Sequence, residues 1–378
     1  MNVLAGIALC CGALSLLRYA IALPMLSRWL RRGRVRSIPK GNTPAITLLK
    51  PLYGDRPDLA DDLEATLRQN YPDFEVLFVH EREDDPALGA TAAATRAVPD
   101  VPVRAIAGRA PEATNPKVAV LIEGQAAARP ESTIIASADC DAHPDPLYLR
   151  DIANALDDAD AVSFVPVLFD TRGWLGRLAG FAVNTDALLG ILMARGFAMT
   201  GATIGIRRDA LEAVGGWSVV GDRIADDYAM GCALRKAGKR TVLAQRAVRV
   251  RADHGTAAET TTWMLRWART VRVAAPLPYL GALILASAPL LLIVARSLYA
   301  TPGTLWMLAG IALARVGTGI AVELRYVWDG STRRALLALP LLWIIEPLGL
   351  LAGLFGNRVE WRGRRYRLRG DRATLDPQ

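Results

Sequence analysis

Apolar and polar positions are distributed unevenly along the 378 residues of this chain. From Val3 to Leu26 it is apolar except for Arg18 and a few small polar side chains, and three further apolar segments follow at about Leu277–Ala295, Leu305–Leu324 and Ala335–Phe355. Runs of roughly 17–25 apolar residues are what a helix needs to cross a bilayer. The pattern therefore predicts an N-terminal transmembrane anchor over residues 1–30 and membrane segments over 276–357. Residues 41–250 read differently. Short apolar runs at Ala45–Leu49, Phe74–Val79, Val101–Ile106 and Thr133–Ser137 read as buried strands. Between them, helical stretches run over Leu59–Asn70, with Leu59, Leu63 and Leu67 on one stripe, then over Ala87–Val98 and Lys117–Ala128. Strands and helices in alternation at this spacing predict an α/β domain built on a mostly parallel sheet.

Charge adds an orientation. The net charge is +8, and the basic residues crowd beside apolar segments. Arg28, Arg31, Arg32, Arg34, Arg36 and Lys40 follow the first; Arg362, Arg364, Arg365, Arg367 and Arg369 follow the last. By the positive-inside rule both flanks, and the domain between them, are cytoplasmic. A signal peptide carries its positive charge before the apolar run, and here the charge comes after it. Three full C-terminal crossings would strand the basic tail, residues 358–378, on the far side. Glu346-Pro347 sits at the centre of the third segment. An acid and a helix breaker there favour a re-entrant or interfacial third segment over a full crossing. No recognition helix, zinc-finger spacing or aromatic-basic interleaving supports nucleic acid as a partner. Cys10, Cys11, Cys140 and Cys232 lack metal or framework spacing and read as free thiols.

In a parallel α/β sheet, ligands bind beyond the carboxyl ends of the strands. Three acidic clusters stand at such places: Asp84-Asp85, Asp139-Cys-Asp141, and Asp226-Asp227 at the start of a helical stretch. Singly, such acids are often turn formers or helix caps; their joint occurrence points to chemistry. An Asp-x-Asp after a buried strand projects two carboxylates to one side, a donor set suited to Mg²⁺ or Mn²⁺. No Walker A loop is present, so nothing supports ATP-type phosphoryl transfer.

Thr47-Leu-Leu-Lys-Pro-Leu52, Asn70-Tyr-Pro72, Asp84-Asp-Pro-Ala87, Asn115-Pro-Lys117 and Asp139-x-Asp141 resemble the ceramide glucosyltransferase branch of family 2 glycosyltransferases. Thr200-Gly201, Arg207-Arg-Asp-Ala-Leu211, Gly215-Gly216, Ala225-Asp-Asp-Tyr228, Arg266-Trp267 and Trp361–Arg369 extend the resemblance, in order, over roughly residues 45–370. It implies a GT-A fold, that is, a Rossmann-like nucleotide-sugar-binding domain between an N-terminal anchor and C-terminal membrane helices. It also implies a UDP-sugar donor, a divalent metal, inversion at the anomeric carbon and a membrane lipid acceptor, ceramide-like or hopanoid-like. Carried over, Asp84 or Asp85 would hold the uridine, Asn115 and Lys117 would line the donor pocket, and Asp139 and Asp141 would lie at the diphosphate and metal. Asp227, beside Asp226, would be the general base. Arg266 and Trp267, in an interfacial region over 251–275, would complete a Q/R-x-x-R-W motif near diphosphate and acceptor. Bacterial relatives of this branch include hopanoid-associated transferases using UDP-N-acetylglucosamine, so donor and acceptor stay open and a bacterial inner membrane is implied. The motif's first position is Trp263 here, not Gln or Arg, which suits an apolar acceptor. That change, with too few crossings for an export channel, counts against the alternative of a processive polysaccharide synthase.

Other residues keep two readings each. His143 either approaches the diphosphate or forms a turn, and His254 has the same choice. Glu346 either pairs with Arg315 or faces the acceptor's polar head. Trp174–Phe197, apolar but interrupted by Arg177, Asn184, Asp186 and Arg195, is either core or an amphipathic interfacial helix.

Overall fold

The first apolar run folds as one helix, α1 (Val3–Arg32), with Arg31 and Arg32 in its last turn, where cations complement the helix dipole. The computed structural model describes residues 3–33, 43–197, 199–252, 255–299, 303–336 and 338–376. Arg34, Arg36, Lys40 and His254 therefore lie outside the described residues. The predicted alternation follows α1 as β1 (Ile46–Leu52), α2 (Leu59–Leu67), β2 (Phe74–His80), α3 (Leu88–Ala97), β3 (Val103–Ala107), α4 (Pro116–Ala127) and β4 (Ile134–Ala138). After it come a two-residue β5 (Ala142–His143), α5 (Tyr148–Leu156) and β6 (Ala161–Phe169). Next, α6 (Gly173–Ala182) runs through a five-residue π-helical stretch into α7 (Leu188–Ala194). Then come β7 (Thr203–Arg207), α8 (Arg208–Ala213), α9 (Asp226–Lys236) and β8 (Thr241–Arg251). The remainder is α10 (Ala257–Ala274), α11 (Pro276–Tyr299), α12 (Gly303–Val322), α13 (Ser331–Leu336), α14 (Leu339–Gly353), β9 (Arg358–Trp361), β10 (Arg364–Arg369) and β11 (Arg372–Leu375).

The chain divides into two units. The sheet unit comprises residues 31–166, 194–251 and 371–378. Its strands lie in the order β3-β2-β1-β4-β7-β6-β8-β5. β1 pairs parallel with β2 and with β4, and β2 parallel with β3, as the continuous apolar runs predict. β7 runs antiparallel to both β4 and β6, so the sheet is mixed beyond β4. The chain builds outward from β1 to β3 and then returns to the other side of β1 for β4. That reversal is the topological switch point, where sheets of this kind place their ligand crevice, at the carboxyl ends of β1 and β4. Val118 and Leu121 of α4, Trp217, and Met230 and Leu234 of α9 pack the core behind it, all essentially inaccessible.

The apolar unit comprises residues 1–30, 167–193 and 252–370. It includes α6 and α7, which the sequence reading placed inside the 41–250 domain. Among the described residues, four helical stretches are long and apolar enough to cross a membrane by length and composition: Val3–Arg32, Gly173–Ala194, Pro276–Tyr299 and Gly303–Val327. α14 has 15 residues, about 22 Å of helix against a hydrocarbon layer of about 30 Å. Its end is capped by arginines of α10. Arg269 donates to the carbonyls of Phe355 (3.1 Å) and Arg358 (2.8 Å), and Arg272 to that of Gly356 (2.8 Å). The basic tail then folds back as an antiparallel hairpin, with Arg364 opposite Trp361 and Tyr366 opposite Val359. Four charges inside the apolar helices, Arg18, Asp186, Arg315 and Glu346, are paired. Arg315 reaches Glu346 at 2.7 Å and Asp186 at 3.0 Å, Arg18 also binds Asp186, and Tyr19 donates to it at 2.8 Å.

Candidate active site

β4 ends at Ala138, and the Asp139-Cys140-Asp141 turn is held by its backbone from several directions. Asp139 N–H donates to Ala202 O (2.9 Å) and Ala142 N–H closes the turn onto Asp139 O (3.0 Å). Arg251 N–H donates to Asp141 O (2.9 Å), and the Lys50 ammonium donates to Ala142 O (2.8 Å). Lys50 is wholly buried at the end of β1, and burial lowers its pKa to about 8 although the Asp62 charge opposes the change. The turn is thus fixed before any ligand arrives. Burial also pushes the Asp139 carboxyl up to about 6 and raises that of Asp141; Lys117 opposes the first shift, and Arg56 and Lys50 oppose the second.

Lys117 enters from the first turn of α4. Asn115 caps that helix: its carbonyl oxygen accepts from Lys117 N–H (2.9 Å) and Val118 N–H (3.3 Å), while its amide donates to Arg223 O (2.7 Å). Pro116 at the first helical position fixes the entry angle. The Lys117 ammonium then lies 2.7 Å from Asp139 and 3.2 Å from Asp226, and donates to Gly201 O at 3.3 Å. Burial alone would discharge it, but Asp139, Asp226 and Asp227 outweigh burial and raise its pKa.

Asp226 and Asp227 open α9. Asp226 is buried, whereas Asp227 is half-buried and accepts from Tyr228 N–H at 2.7 Å. Burial first, and the adjacent Asp226 second, push the Asp227 carboxyl up to about 7. A carboxylate that titrates near neutrality is matched to proton transfer. Space for it depends on Gly201, where an added Cβ would sit 3.0 Å from Asp227 Oδ2.

The sheet unit therefore gathers Asn115, Lys117, Asp139, Asp141, Asp226 and Asp227. The other predicted residues fall elsewhere. Asp84 is exposed and paired with Arg82 at 3.0 Å. Asp85 is buried, accepting from Gly54 N–H (3.1 Å) and Ala87 N–H (2.9 Å), and so ties the loop after β1 to the loop after β2. Arg266 and Trp267 belong to the apolar unit, on α10, where the Arg266 guanidinium lies 5.8 Å from the Trp361 ring centroid. Among the described residues, no group of three or more His, Cys, Asp or Glu is arranged to hold a metal ion. Asp139, paired with Lys117, and Asp141 are the two carboxylates of their turn.

Sequence reasoning missed Asp62. Fully buried on α2, it takes Arg56 at 2.5 Å, Arg251 at 3.0 and 3.1 Å, and His143 at 2.8 Å. Burial would raise its pKa, but these hydrogen bonds hold it at about 2. His143 thus turns toward Asp62, and Arg56 also donates to Cys140 O at 3.1 Å, so the cluster braces the Asp-x-Asp turn. The available signal was an acid one helical turn from both Leu59 and Thr66, on the buried face.

The glycosyl transferase family 21 profile matches residues 8–374. Ceramide glucosyltransferase 1 of Caenorhabditis elegans is 23% identical over 216 residues, 54% of this chain and 45% of that protein. A ceramide glucosyltransferase of Komagataella phaffii is 34% identical over 88 residues, 22% of this chain and 17% of that protein. The chain thus aligns with less than half the length of these curated relatives. Among solved structures, a mannosyltransferase from Pyrobaculum calidifontis, in complex with GDP-Man and Mn2+, superposes with a TM-score of 0.54. That match has 22% identity and covers 93% of this chain and 98% of the other, which supports the GT-A-like α/β fold. The family 2 resemblance drawn from the motifs is broadly consistent with a profile that spans nearly the whole chain. From its motifs and from that match, the chain belongs to glycosyl transferase family 21, in the ceramide glucosyltransferase-like branch.

Proposed function

We propose that the protein is an inverting glycosyltransferase that moves a hexose from a UDP-sugar to a hydroxyl of a membrane lipid, with Asp227 as general base. One observation carries the reading: a carboxyl poised at about 7 stands beside Asp226, Lys117 and Asp139 in the crevice of a family 21 chain. Asp227 takes the proton from the acceptor hydroxyl as that oxygen attacks the anomeric carbon opposite the departing UDP. The displacement is single, so no covalent sugar–enzyme intermediate forms. Lys117 holds Asp139 and Asp226 in place by ion pairs, and Asn115 positions Lys117. Asp84 or Asp85 holds the uridine, and Arg266 and Trp267 serve diphosphate and acceptor, a guanidinium being able to grip phosphate oxygens in pairs.

The Asp-x-Asp turn fits a divalent cation. Both donors are carboxylate oxygens on a braced backbone, and among the described residues no cation forms an ion pair with Asp141. The Mn²⁺ in the mannosyltransferase of the same fold supports the assignment. When bound, Mg²⁺ or Mn²⁺ supplies positive charge against the leaving diphosphate. The reaction takes place at the cytoplasmic face of a bacterial inner membrane, with Arg28, Arg31 and Arg32 marking the cytoplasmic end of α1.

The test is a mass-spectrometric assay of purified protein with a panel of UDP-sugars, UDP-glucose and UDP-N-acetylglucosamine among them, against extracted membrane lipids and ceramide- and hopanoid-type acceptors. The expected result is one lipid class gaining a single sugar with stoichiometric UDP release. Sugar passing only to water, or to a growing polysaccharide, would overturn the reading.

A further inference from the structure

The β9–β10 hairpin carries a charged face for which the chemistry at Asp227 has no use. Its two-residue turn, Arg362-Gly363, has positive φ at both positions (51° and 68°), a geometry that holds a tight hairpin in register. Side chains on the two strands therefore alternate from face to face. Val359, Tyr366 and Leu368 share one face and are almost inaccessible. Arg358, Glu360, Arg365, Arg367 and Arg369 fall on the other, with Arg365 opposite Glu360 and Arg367 opposite Arg358. Four guanidinium groups thus share a face with a single carboxylate. Arg358 and Arg367 are like charges directly across two strands, an arrangement that weakens a sheet when nothing offsets it. Arg358, Arg365 and Arg369 are exposed, and among the described residues neither Arg365 nor Arg369 has an acidic partner.

The chain just before the hairpin is apolar and also uncovered. Leu341, Ile344, Leu348, Leu351 and Phe355 recur at alternating spacings of three and four, and each is at least 41% exposed. That spacing makes one continuous stripe along a helix. Only Gly356 and Asn357 separate the last side chain of the stripe from the first arginine of the hairpin. An apolar stripe running directly into a cluster of guanidinium groups matches the profile of a bilayer surface, hydrocarbon below and anionic headgroups above. A soluble polyanion would need no apolar stripe beside its site. The junction is also held to α10, where Arg269 donates to Phe355 O (3.1 Å) and Arg358 O (2.8 Å).

We propose that the outward face of the β9–β10 hairpin is a docking surface for anionic phospholipid. Arg358, Arg365, Arg367 and Arg369 grip headgroup phosphates, which a guanidinium can bind through two parallel hydrogen bonds, while the α14 stripe lies in the adjoining hydrocarbon. The contact holds the end of α14, and α10 with it, at the headgroup layer. This surface is separate from sugar transfer and does not depend on which donor or acceptor is used there.

The experiment uses the full chain in nanodiscs of phosphatidylcholine and phosphatidylglycerol in equal parts, with no sugar donor. Trace probes of each lipid carry a diazirine in the headgroup, and crosslinks are mapped by mass spectrometry. In the wild type the phosphatidylglycerol probe should label residues 356–370 about tenfold more than the phosphatidylcholine probe. In Arg365→Gln/Arg367→Gln/Arg369→Gln that preference should disappear. The three side chains lie on the outward face, so the buried Val359, Tyr366 and Leu368 keep their packing. If the triple variant does not fold, Arg365→Gln/Arg369→Gln, which alters only exposed side chains, should lose most of the preference. Equal labelling by both probes in the wild type, or a preference that survives the Gln substitutions, would overturn the proposal. So would displacement of the probe by excess inorganic phosphate or single-stranded RNA, which would make the face a site for soluble anions. With no donor present, absence of the lipid preference leaves the transferase reading standing. A preference found in a protein that transfers sugar from no donor does the reverse.

Discussion

Three carboxylates around one ammonium set the behaviour of the crevice. Lys117 opposes the rise of the Asp139 and Asp227 carboxyls, while burial and Asp226 push Asp227 up to about 7. A base must be ionised to accept a proton, so activity is lost as pH falls through that value. The kcat/KM profile of the wild type is expected to show an acid limb near pH 7. In Lys117→Gln, with the stabilising charge removed, the limb should move to higher pH; an unmoved limb would exclude Lys117 as the group that tunes it. Gly201 gives a second handle. A methyl group there would crowd Asp227 Oδ2 at 3.0 Å, so Gly201→Ala should lower kcat while leaving the dissociation constant of UDP unchanged, as calorimetry would read. The acids at strand ends were legible because their position after a buried run is itself the signal. Asp62 and Lys50 were not, because what makes a buried charge tolerable is its partner. For Asp62 one partner is Arg251, 189 residues away, and only the folded sheet brings the two together.

At the scale of elements, the start of α4 joins a helix cap to the residue proposed to line the donor pocket. Asn115→Ala removes two accepted bonds from the first turn of the helix, and a loss of about 1 kcal/mol in unfolding stability is expected. Since that turn carries Lys117, activity should fall together with Tm. The α2 brace is worth more. Asp62→Asn leaves Arg56 and Arg251 without their buried counter-charge, a loss of about 3–5 kcal/mol by urea denaturation; a loss under 1 kcal/mol would show that water satisfies these guanidinium groups. Strands and helices were readable from periodicity to within a few residues. Gly173–Ala194 was harder, because Asn184 and Asp186 interrupt its apolar run. The structure answers both interruptions. Asn184 pairs with the N–H and C=O of Leu168, each at 2.8 Å, and Asp186 binds Arg18, Tyr19 and Arg315. Polar groups so satisfied behave as part of an apolar segment, and a linear pattern cannot show this.

For the whole molecule, chain connectivity constrains which helices cross a bilayer. β6 and β7 flank Gly173–Ala194 and pair in one sheet, Ala161 opposite Ile206, so that segment is expected to begin and end on the same side of a bilayer rather than cross it. The C-terminus also returns to the sheet unit, where Ala373 N–H donates to Asp222 O at 2.7 Å and Asp371 pairs with Arg223. Between β8 and that return the number of crossings must be even. We propose that α11 and α12 supply two and the 15-residue α14 none. This satisfies the charge rule without leaving the arginine-rich hairpin on the far side. Cys140 and Cys232, both in the sheet unit, should react with an impermeant maleimide in inside-out vesicles and stay unlabelled in right-side-out ones. Labelling in right-side-out vesicles would reverse the orientation. The central claim, transfer of a sugar to a membrane lipid by a single displacement with Asp227 as base, is tested most directly by one comparison. Wild-type protein and Asp227→Asn, each in nanodiscs with UDP-sugar and lipid acceptor, are assayed for glycolipid by mass spectrometry and for anomeric configuration by NMR. The account predicts a lipid glycosylated with inverted configuration by the wild type, and in Asp227→Asn a loss of about 10²–10⁴-fold with UDP binding retained. A product of retained configuration, or wild-type turnover in Asp227→Asn, would contradict it.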